Sequence, residues 1–175
     1  MKEETSLFAE HSGAVFSPCR QYRYVLWRSW EPAKPACMFL MLNPSTADAV
    51  DNDATVERCQ RRAQMMGYGA LVVGNIFAYR STDPDKLYEL EDPVGPDNDR
   101  SILERAAAAG IVICGWGTHG ALRRRGDAVL RMLREAGITP HALRINADGS
   151  PRHPLYVGYE IRPVPMAGQK GALHG

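Results

Sequence analysis

The feature that most constrains the fold is a run of six apolar residues, Cys37 to Leu42, which stops at Asn43-Pro44. A run this short and this uniform is typical of a strand buried on both faces, as in the middle of a parallel sheet. Proline cannot donate a hydrogen bond to a sheet, and it moves the residue before it out of helical geometry. The strand therefore ends at Asn43, and small polar residues and a helix-like segment follow it.

The same order of strand, polar loop and helix recurs along the chain. Apolar runs predict further strands over residues 69–76, 110–116 and 140–145, and caps and spacing predict helices over residues 54–66, 97–109 and 119–136. Strands that alternate with helices indicate a mostly parallel sheet with helices on both faces. We therefore expect an α/β fold, a three-layer α/β/α sandwich whose central sheet has about four strands.

The two ends of the chain differ from this pattern. Residues 1–20 are polar and irregular, and the alternating, aromatic-rich residues 22–28 predict an N-terminal strand, antiparallel beside the strand of residues 37–42 or at the sheet edge. Residues 165–175 are glycine-rich and predict a disordered tail. No linker divides the remainder, so residues 1–164 are expected to form one domain.

Composition narrows the class of protein. The net charge is +1, so no overall field draws the chain to nucleic acid or to an anionic membrane. The four cysteines form no Cys-x-x-Cys pair, which favours buried thiols in a reducing compartment over disulfides or zinc. The sequence shows neither a secretory pattern nor an apolar run of about 20 residues, so we expect a cytoplasmic protein without a membrane partner.

Polar loops follow the four predicted parallel strands, and ligands of such sheets bind at the carboxyl ends of strands. The first loop offers an amide, hydroxyls and a carboxylate, although the same residues suit a turn that caps the next helix. The second loop combines an amide, an aromatic ring and a guanidinium, which suit a base edge, a base face and a phosphate. The candidates are Asn43, Pro44, Ser45, Thr46 and Asp48 in the first loop, and Asn75, Phe77 and Arg80 in the second.

The third loop places an aromatic residue between glycines, either for stacking beside a helix start or as a tight turn that covers the core. It lacks the dinucleotide-binding fingerprint, and no cofactor is expected. The fourth loop holds a histidine next to proline, outside any periodic element, where it can act as acid, base or oxyanion donor. The candidates are Gly115, Trp116, Gly117, Thr118 and His119 in the third loop, and Arg152, His153, Pro154 and Tyr156 in the fourth.

Two charged groups allow more than one interpretation. The closely spaced Asp48, Asp51 and Asp53 could bind magnesium or calcium, but they lack the glycine and glutamate of an EF-hand loop, and a capping role is favoured. The arginines of the predicted helices could face a phosphate backbone or simply solvent; they are Arg58, Arg61, Arg62, Arg123, Arg124 and Arg125. A serine hydrolase is not indicated, because no Gly-x-Ser-x-Gly elbow exists.

Three motifs carry a resemblance to a known family: Leu-Asn-Pro-Ser-Thr-Ala-Asp at residues 42–48, Gly-Trp-Gly at 115–117 and Pro-Arg-His-Pro-Leu-Tyr at 151–156. In this order they closely resemble a family of small bacterial and phage proteins of unknown function, over residues 14–162.

A more distant similarity is to the uracil-DNA glycosylase superfamily, a parallel four-stranded α/β/α sandwich. Residues 41–45 resemble its first motif in the Asn-Pro form of the mismatch-specific branch, residues 74–82 resemble that branch's Thr-Asn-x-Val-x-Arg-x-Thr stretch, and His153-Pro154 resembles the last motif. Met41 stands where the family has its first glycine, and Leu155 stands where it has serine.

This resemblance implies that Asn43 positions the attacking water, that Asn75 lies near the base-reading strand end, and that His153 stabilises the departing base anion. Enzymes of this kind flip a base out of the duplex and stack it on an aromatic ring. We therefore expect a nucleobase- or nucleotide-binding enzyme that hydrolyses an N-glycosidic bond, with Asp48 or Asp53 assisting. Three alternatives stay open: a non-catalytic module for a nucleotide or single strand, a metal-dependent phosphoesterase, and a nucleotide-modifying transferase.

Overall fold

The apolar run forms an inner strand of a mixed sheet. The computed structural model describes residues 2–6 and 9–168. Within them, eight strands follow the spatial order β1-β2-β3-β5-β4-β6-β7-β8. The bounds are β1 Lys2–Ser6, β2 Ala9–Phe16, β3 Arg23–Ser29, β4 Ala36–Met41, β5 Ala70–Asn75, β6 Ile111–Cys114, β7 Pro140–Ala142 and β8 Val164–Pro165.

Parallel pairing is confined to the middle of this sheet. Strand β4 runs parallel to β5 on one side and to β6 on the other, and β6 runs parallel to β7. All remaining pairs are antiparallel. The prediction of an α/β fold is confirmed, but the expected mostly parallel sheet of about four strands is a mixed sheet of eight strands over the described residues.

Strand β4 is apolar throughout because both of its faces are covered. Cys37, Phe39 and Met41 pack with residues of α1, Ala54–Met65. Met38 and Leu40, on the other face, pack with residues of α2, Asn98–Ala108, and α3, Arg125–Glu135. Alternate side chains of a strand point to opposite faces, so one short run fills two apolar layers.

The predicted helices over 54–66 and 97–109 are confirmed, but the predicted helix over 119–136 is wrong in its first part. Residues 118–124 form a 3-10 helix that breaks at Leu122 and Arg123, and α3 begins only at Arg125. The break lets the chain bend around a tryptophan ring: a Cβ atom on Gly120 would lie 2.1 Å from Cδ1 of Trp116. Local helix propensity therefore yields to tertiary packing here.

The N-terminal region is more regular than its sequence indicates. Strands β1 and β2 form a hairpin, β2 pairs with β3, and β3 pairs with β5. The predicted N-terminal strand is therefore an interior strand, and it lies neither beside β4 nor at the sheet edge. Small residues allow this packing, since a Cβ atom on Gly13 would lie 2.2 Å from the ring of Trp27. Strands β1 and β2 are held by backbone hydrogen bonds, which require no apolar run, so the sequence pattern did not predict these two strands.

The predicted disordered tail begins inside the described chain. Val164 and Pro165 pair with β7, and the backbone N–H of Met166 donates to the carbonyl oxygen of Pro140 at 2.8 Å. Residues 169–175, the rest of that tail, lie outside the described residues. None of the helices in the described part of the chain has the length and apolar character needed to cross a membrane.

Candidate functional site

The loops at the carboxyl ends of the parallel strands surround one cavity of about 580 Å³. The strand register explains their convergence, because Met41 lies opposite Asn75, and Leu40 lies opposite Cys114. Twelve of the residues predicted from the sequence line this cavity: Asn43, Pro44, Ser45, Asp53, Asn75, Trp116, Gly117, Thr118, His119, Arg152, His153 and Tyr156.

Asn43 is half-buried where β4 ends, and its amide orientation is fixed. Its Nδ2 donates to the backbone carbonyl oxygens of Ser81 at 2.9 Å and Pro44 at 3.2 Å. Because these partners are acceptors, the side-chain nitrogen must face them, which leaves Oδ1 as the acceptor for a ligand or water in the cavity. The residue thus both closes the loop and offers an oriented oxygen.

His153 is fixed in one neutral tautomer by its own turn. The backbone N–H of Leu155 donates to Nδ1 at 3.2 Å, so Nδ1 carries the lone pair and the hydrogen of the neutral ring is on Nε2. Burial lowers the pKa of His153 below its usual value, and the opposing effect of the Asp53 carboxylate is smaller. At neutral pH the side chain is therefore an uncharged hydrogen-bond donor at the cavity.

The third and fourth loops hold each other in place. A Cβ atom on Gly115 would lie 2.9 Å from Cδ of Pro154, so only glycine lets the proline pack on the end of β6. The backbone N–H of Gly117 donates to the carbonyl oxygen of Pro151 at 2.9 Å, and Gly117 adopts a positive φ of 74°. Gly115 and Pro154 therefore hold the backbone next to His153 in place, although neither residue lines the cavity.

Four of the six candidate helix arginines donate to backbone carbonyl oxygens, whereas Arg61 and Arg124 are exposed. Arg62 is buried, and its guanidinium donates to the carbonyl oxygens of residues 157, 158 and 161. Arg58 donates to Pro154 at 3.1 Å and to Val157 at 2.7 Å. Arg123 and Arg125 likewise donate to backbone carbonyl oxygens. These side chains fasten loops, and the two on α1 fasten the loop that carries His153.

We expect Arg62→Met to lower the free energy of unfolding by about 2–4 kcal/mol, because buried carbonyl oxygens lose their donors. Urea denaturation measures this loss. The matched control is Arg61→Met, since Arg61 is an exposed neighbour on the same helix, and a change within about 0.5 kcal/mol is expected there. Equal losses of unfolding free energy in the two variants would contradict the role of Arg62 in fastening the loop.

The aspartates serve turns and caps. Asp48 Oδ1 accepts from the backbone N–H groups of Val50 at 2.9 Å and Asp51 at 2.8 Å, and Asp48 does not line the cavity. Burial raises the pKa of Asp48, but these donors and nearby arginines outweigh it, so the pKa is lowered overall. Asp53 caps α1 by accepting from Val56 N at 2.9 Å. Within residues 2–6 and 9–168, no group of three His, Cys, Asp or Glu side chains could hold a metal ion.

Three further candidates lie away from the cavity. Phe77 lies two residues beyond the end of β5 and is fully buried in the core. The Arg80 guanidinium lies over the Phe16 ring, with Cζ 4.7 Å from the ring centroid, and Thr46 is exposed outside the cavity. The expected stacking by Phe77 is therefore wrong, and the aromatic residues at the cavity are Trp116 and Tyr156.

The sequence interpretation missed four polar residues of the cavity: Arg23, Thr55, Thr82 and Asn146. Asn146 follows β7, and it could have been predicted because ligands bind at the carboxyl ends of parallel strands. Its Oδ1 accepts a hydrogen bond from Nε of Arg152 at 2.8 Å. Arg23 begins an antiparallel strand, where an arginine is typical of a solvated face, and no local signal marks it.

Comparisons with known proteins give one match. Residues 23–155 match a family model described as "Protein of unknown function (DUF1643)". This range begins at the first residue of β3 and includes the Asn-Pro, Gly-Trp-Gly and His-Pro loops. The searches of curated proteins and of solved structures found no match.

Proposed function

The chain belongs to the family of proteins of unknown function DUF1643, whose description names no activity, and we propose a function from its cavity. We infer that the protein is an enzyme with a uracil-DNA glycosylase-like α/β/α sandwich, which binds a nucleobase-containing ligand and hydrolyses its N-glycosidic bond. The parallel strands β5, β4, β6 and β7, with α1 on one face and α2 and α3 on the other, support this assignment of the fold.

The observation that carries the proposal is the pairing of Asn43 and His153 at one cavity. Asn43 offers an oriented acceptor, Oδ1, and His153 offers a neutral donor, Nε2–H. Hydrolysis needs both: an acceptor aligns a water molecule on the sugar carbon, and a donor stabilises the negative charge that develops on the departing base. The bond electrons leave with the base, the water oxygen joins the sugar, and a water proton neutralises the base.

Other cavity residues fit the recognition of a base. The faces of Trp116 and Tyr156 are suited to ring stacking, and the rings of His153 and Tyr156 lie 5.9 Å apart. Asn75 lines the same cavity, where its amide can contact the ligand. Asp53 uses Oδ1 for its cap, and its second carboxylate oxygen can assist the water.

The test is release of free base, measured by chromatography, from oligonucleotides that contain uracil, a thymine mismatch or a modified base, and from nucleosides and nucleotides. We expect release in the presence of a chelator, because the cavity holds no metal-binding cluster among the described residues. Binding with a fully intact ligand after long incubation would instead indicate the non-catalytic module. Cleavage of a phosphoester bond that chelation abolishes, without release of base, would favour the phosphoesterase alternative.

A further inference from the structure

The cavity contains a buried cation that the proposed hydrolysis does not use. Arg23, at the start of β3, has a relative exposure of 2% and lines the cavity. Among the described residues, no carboxylate oxygen forms an ion pair with it within 4.0 Å. An uncompensated charge in the interior costs several kcal/mol, and Arg23 differs from the similarly buried Arg62 in lining the cavity.

Neutral acceptors satisfy only part of the guanidinium. Its Nη1 donates to the carbonyl oxygen of Ala47 at 2.8 Å, and its Nη2 donates to Oδ1 of Asn75 at 3.3 Å. Its Nε is buried and has no hydrogen-bond partner among the described residues. A guanidinium carries five N–H groups, so these two bonds leave most of its donor capacity unused, and its charge has no ion-pair partner among the described residues.

Arg23 nevertheless stays protonated at neutral pH. Burial lowers the pKa of Arg23 to about 10, while the more distant carboxylates of Asp53 and Asp48 act in the opposite direction. The positive charge is therefore a permanent property of this cavity wall. An anion in the cavity would supply the missing counter-charge, and low local dielectric strengthens that attraction.

The amide of Asn75 connects the Arg23 guanidinium to the cavity through a hydrogen bond. Its Oδ1 accepts from Arg23, which fixes the amide and turns Nδ2 away from the guanidinium. Asn75 lines the cavity, and no hydrogen bond from Nδ2 occurs within the described part of the chain. Donation from a charged group polarises the amide, so Nδ2 is a strengthened donor for an anion.

We propose that Arg23 and Asn75 form a subsite for the phosphate group of a nucleotide, so that the cavity selects a nucleoside monophosphate over the corresponding nucleoside. The nucleoside part of this ligand rests on the proposed function, whereas the phosphate subsite does not. A guanidinium suits phosphate in geometry and charge, and the volume of about 580 Å³ lies in the range of sites that enclose a whole small ligand.

The test is calorimetric titration with inorganic phosphate, uridine and uridine 5′-monophosphate. We expect the monophosphate to bind at least about 10-fold more tightly than uridine, and phosphate alone to bind saturably. The decisive variant is Asn75→Asp, which places a carboxylate 3.3 Å from Arg23 and repels an incoming anion. It should lose at least about 10-fold in phosphate binding while its Tm stays the same or rises, because an internal ion pair forms.

Arg61→Gln, which removes an exposed arginine outside the cavity, should bind phosphate like the wild type. The inference is overturned if phosphate fails to bind, if uridine and its monophosphate bind equally, or if Asn75→Asp binds phosphate unchanged. Phosphate binding without base release would refute the proposed hydrolysis and keep the subsite. Base release from uridine and its monophosphate at equal kcat/KM would support the proposed hydrolysis and refute the phosphate subsite.

Discussion

Replacing His153 by alanine is expected to lower base release by about 10²–10³-fold, the effect of removing a preorganised donor to a developing negative charge. Nδ1 of His153 is occupied by the backbone N–H of Leu155, so Nε2–H is the only donor that the ring presents. The substitution removes this donor without removing Asn43 or the aromatic residues. The loss should therefore fall on kcat under single-turnover conditions, and ligand affinity should change little.

His141→Ala is the matched control, since His141 lies on β7 outside the cavity and its Nδ1 lies 3.1 Å from the carbonyl oxygen of Thr139. That variant should keep the wild-type rate. A His153→Ala variant that folds normally and releases base at the wild-type rate would remove His153 from the mechanism.

The pH profile provides a second measurement on the same residue. Burial lowers the pKa of His153, so the neutral ring is favoured in the folded protein. Protonation puts a hydrogen on Nδ1 and breaks the bond from Leu155. Activity should thus be constant around neutral pH and fall as the pH drops through a pKa below 6.5. The contribution of this group to stability has the same sign, being complete above the unfolded pKa and lost in acid.

The sequence was sufficient for the centre of the fold because local and tertiary preferences agree there. Six apolar residues require burial on both faces, and proline stops them at the site. Once β4 is parallel to its neighbours, the loops of Asn43, Asn75 and His153 must share one end of the sheet. Their convergence on one cavity follows from strand direction and needs no distance information.

The parts that the sequence could not predict depend on distant partners. Arg62 looks like a solvated helix residue, and only the carbonyl groups of the loop after the His-Pro motif bury it. Arg23 looks like the wet face of an edge strand, and the hairpin of β1 and β2 makes that strand interior. In both cases an arginine side chain donates to backbone carbonyl oxygens that are distant in the sequence. The hydrophobic periodicity of the sequence gives no signal for such a contact.

Asn43→Ala is expected to reduce both activity and stability. Loss of the oriented Oδ1 should lower base release by about 10²-fold, as for other groups that position a reactant. Loss of Nδ2 leaves the carbonyl oxygen of Ser81 without its 2.9 Å partner, which costs about 1–3 kcal/mol in the free energy of unfolding. Urea denaturation and single-turnover base release measure the two effects separately.

Asn43→Asp separates the two roles of this side chain. The carboxylate keeps an acceptor for water, so more activity should survive than in Asn43→Ala. It also places negative charge against the carbonyl oxygens of Pro44 and Ser81, which raises the pKa of the new carboxyl. The resulting destabilisation should be present at neutral pH and relieved as the pH falls through that pKa, because the protonated form can donate to Ser81. If both variants lose stability equally and retain full activity, Asn43 only closes the loop, and the proposed attack on the sugar carbon needs another acceptor.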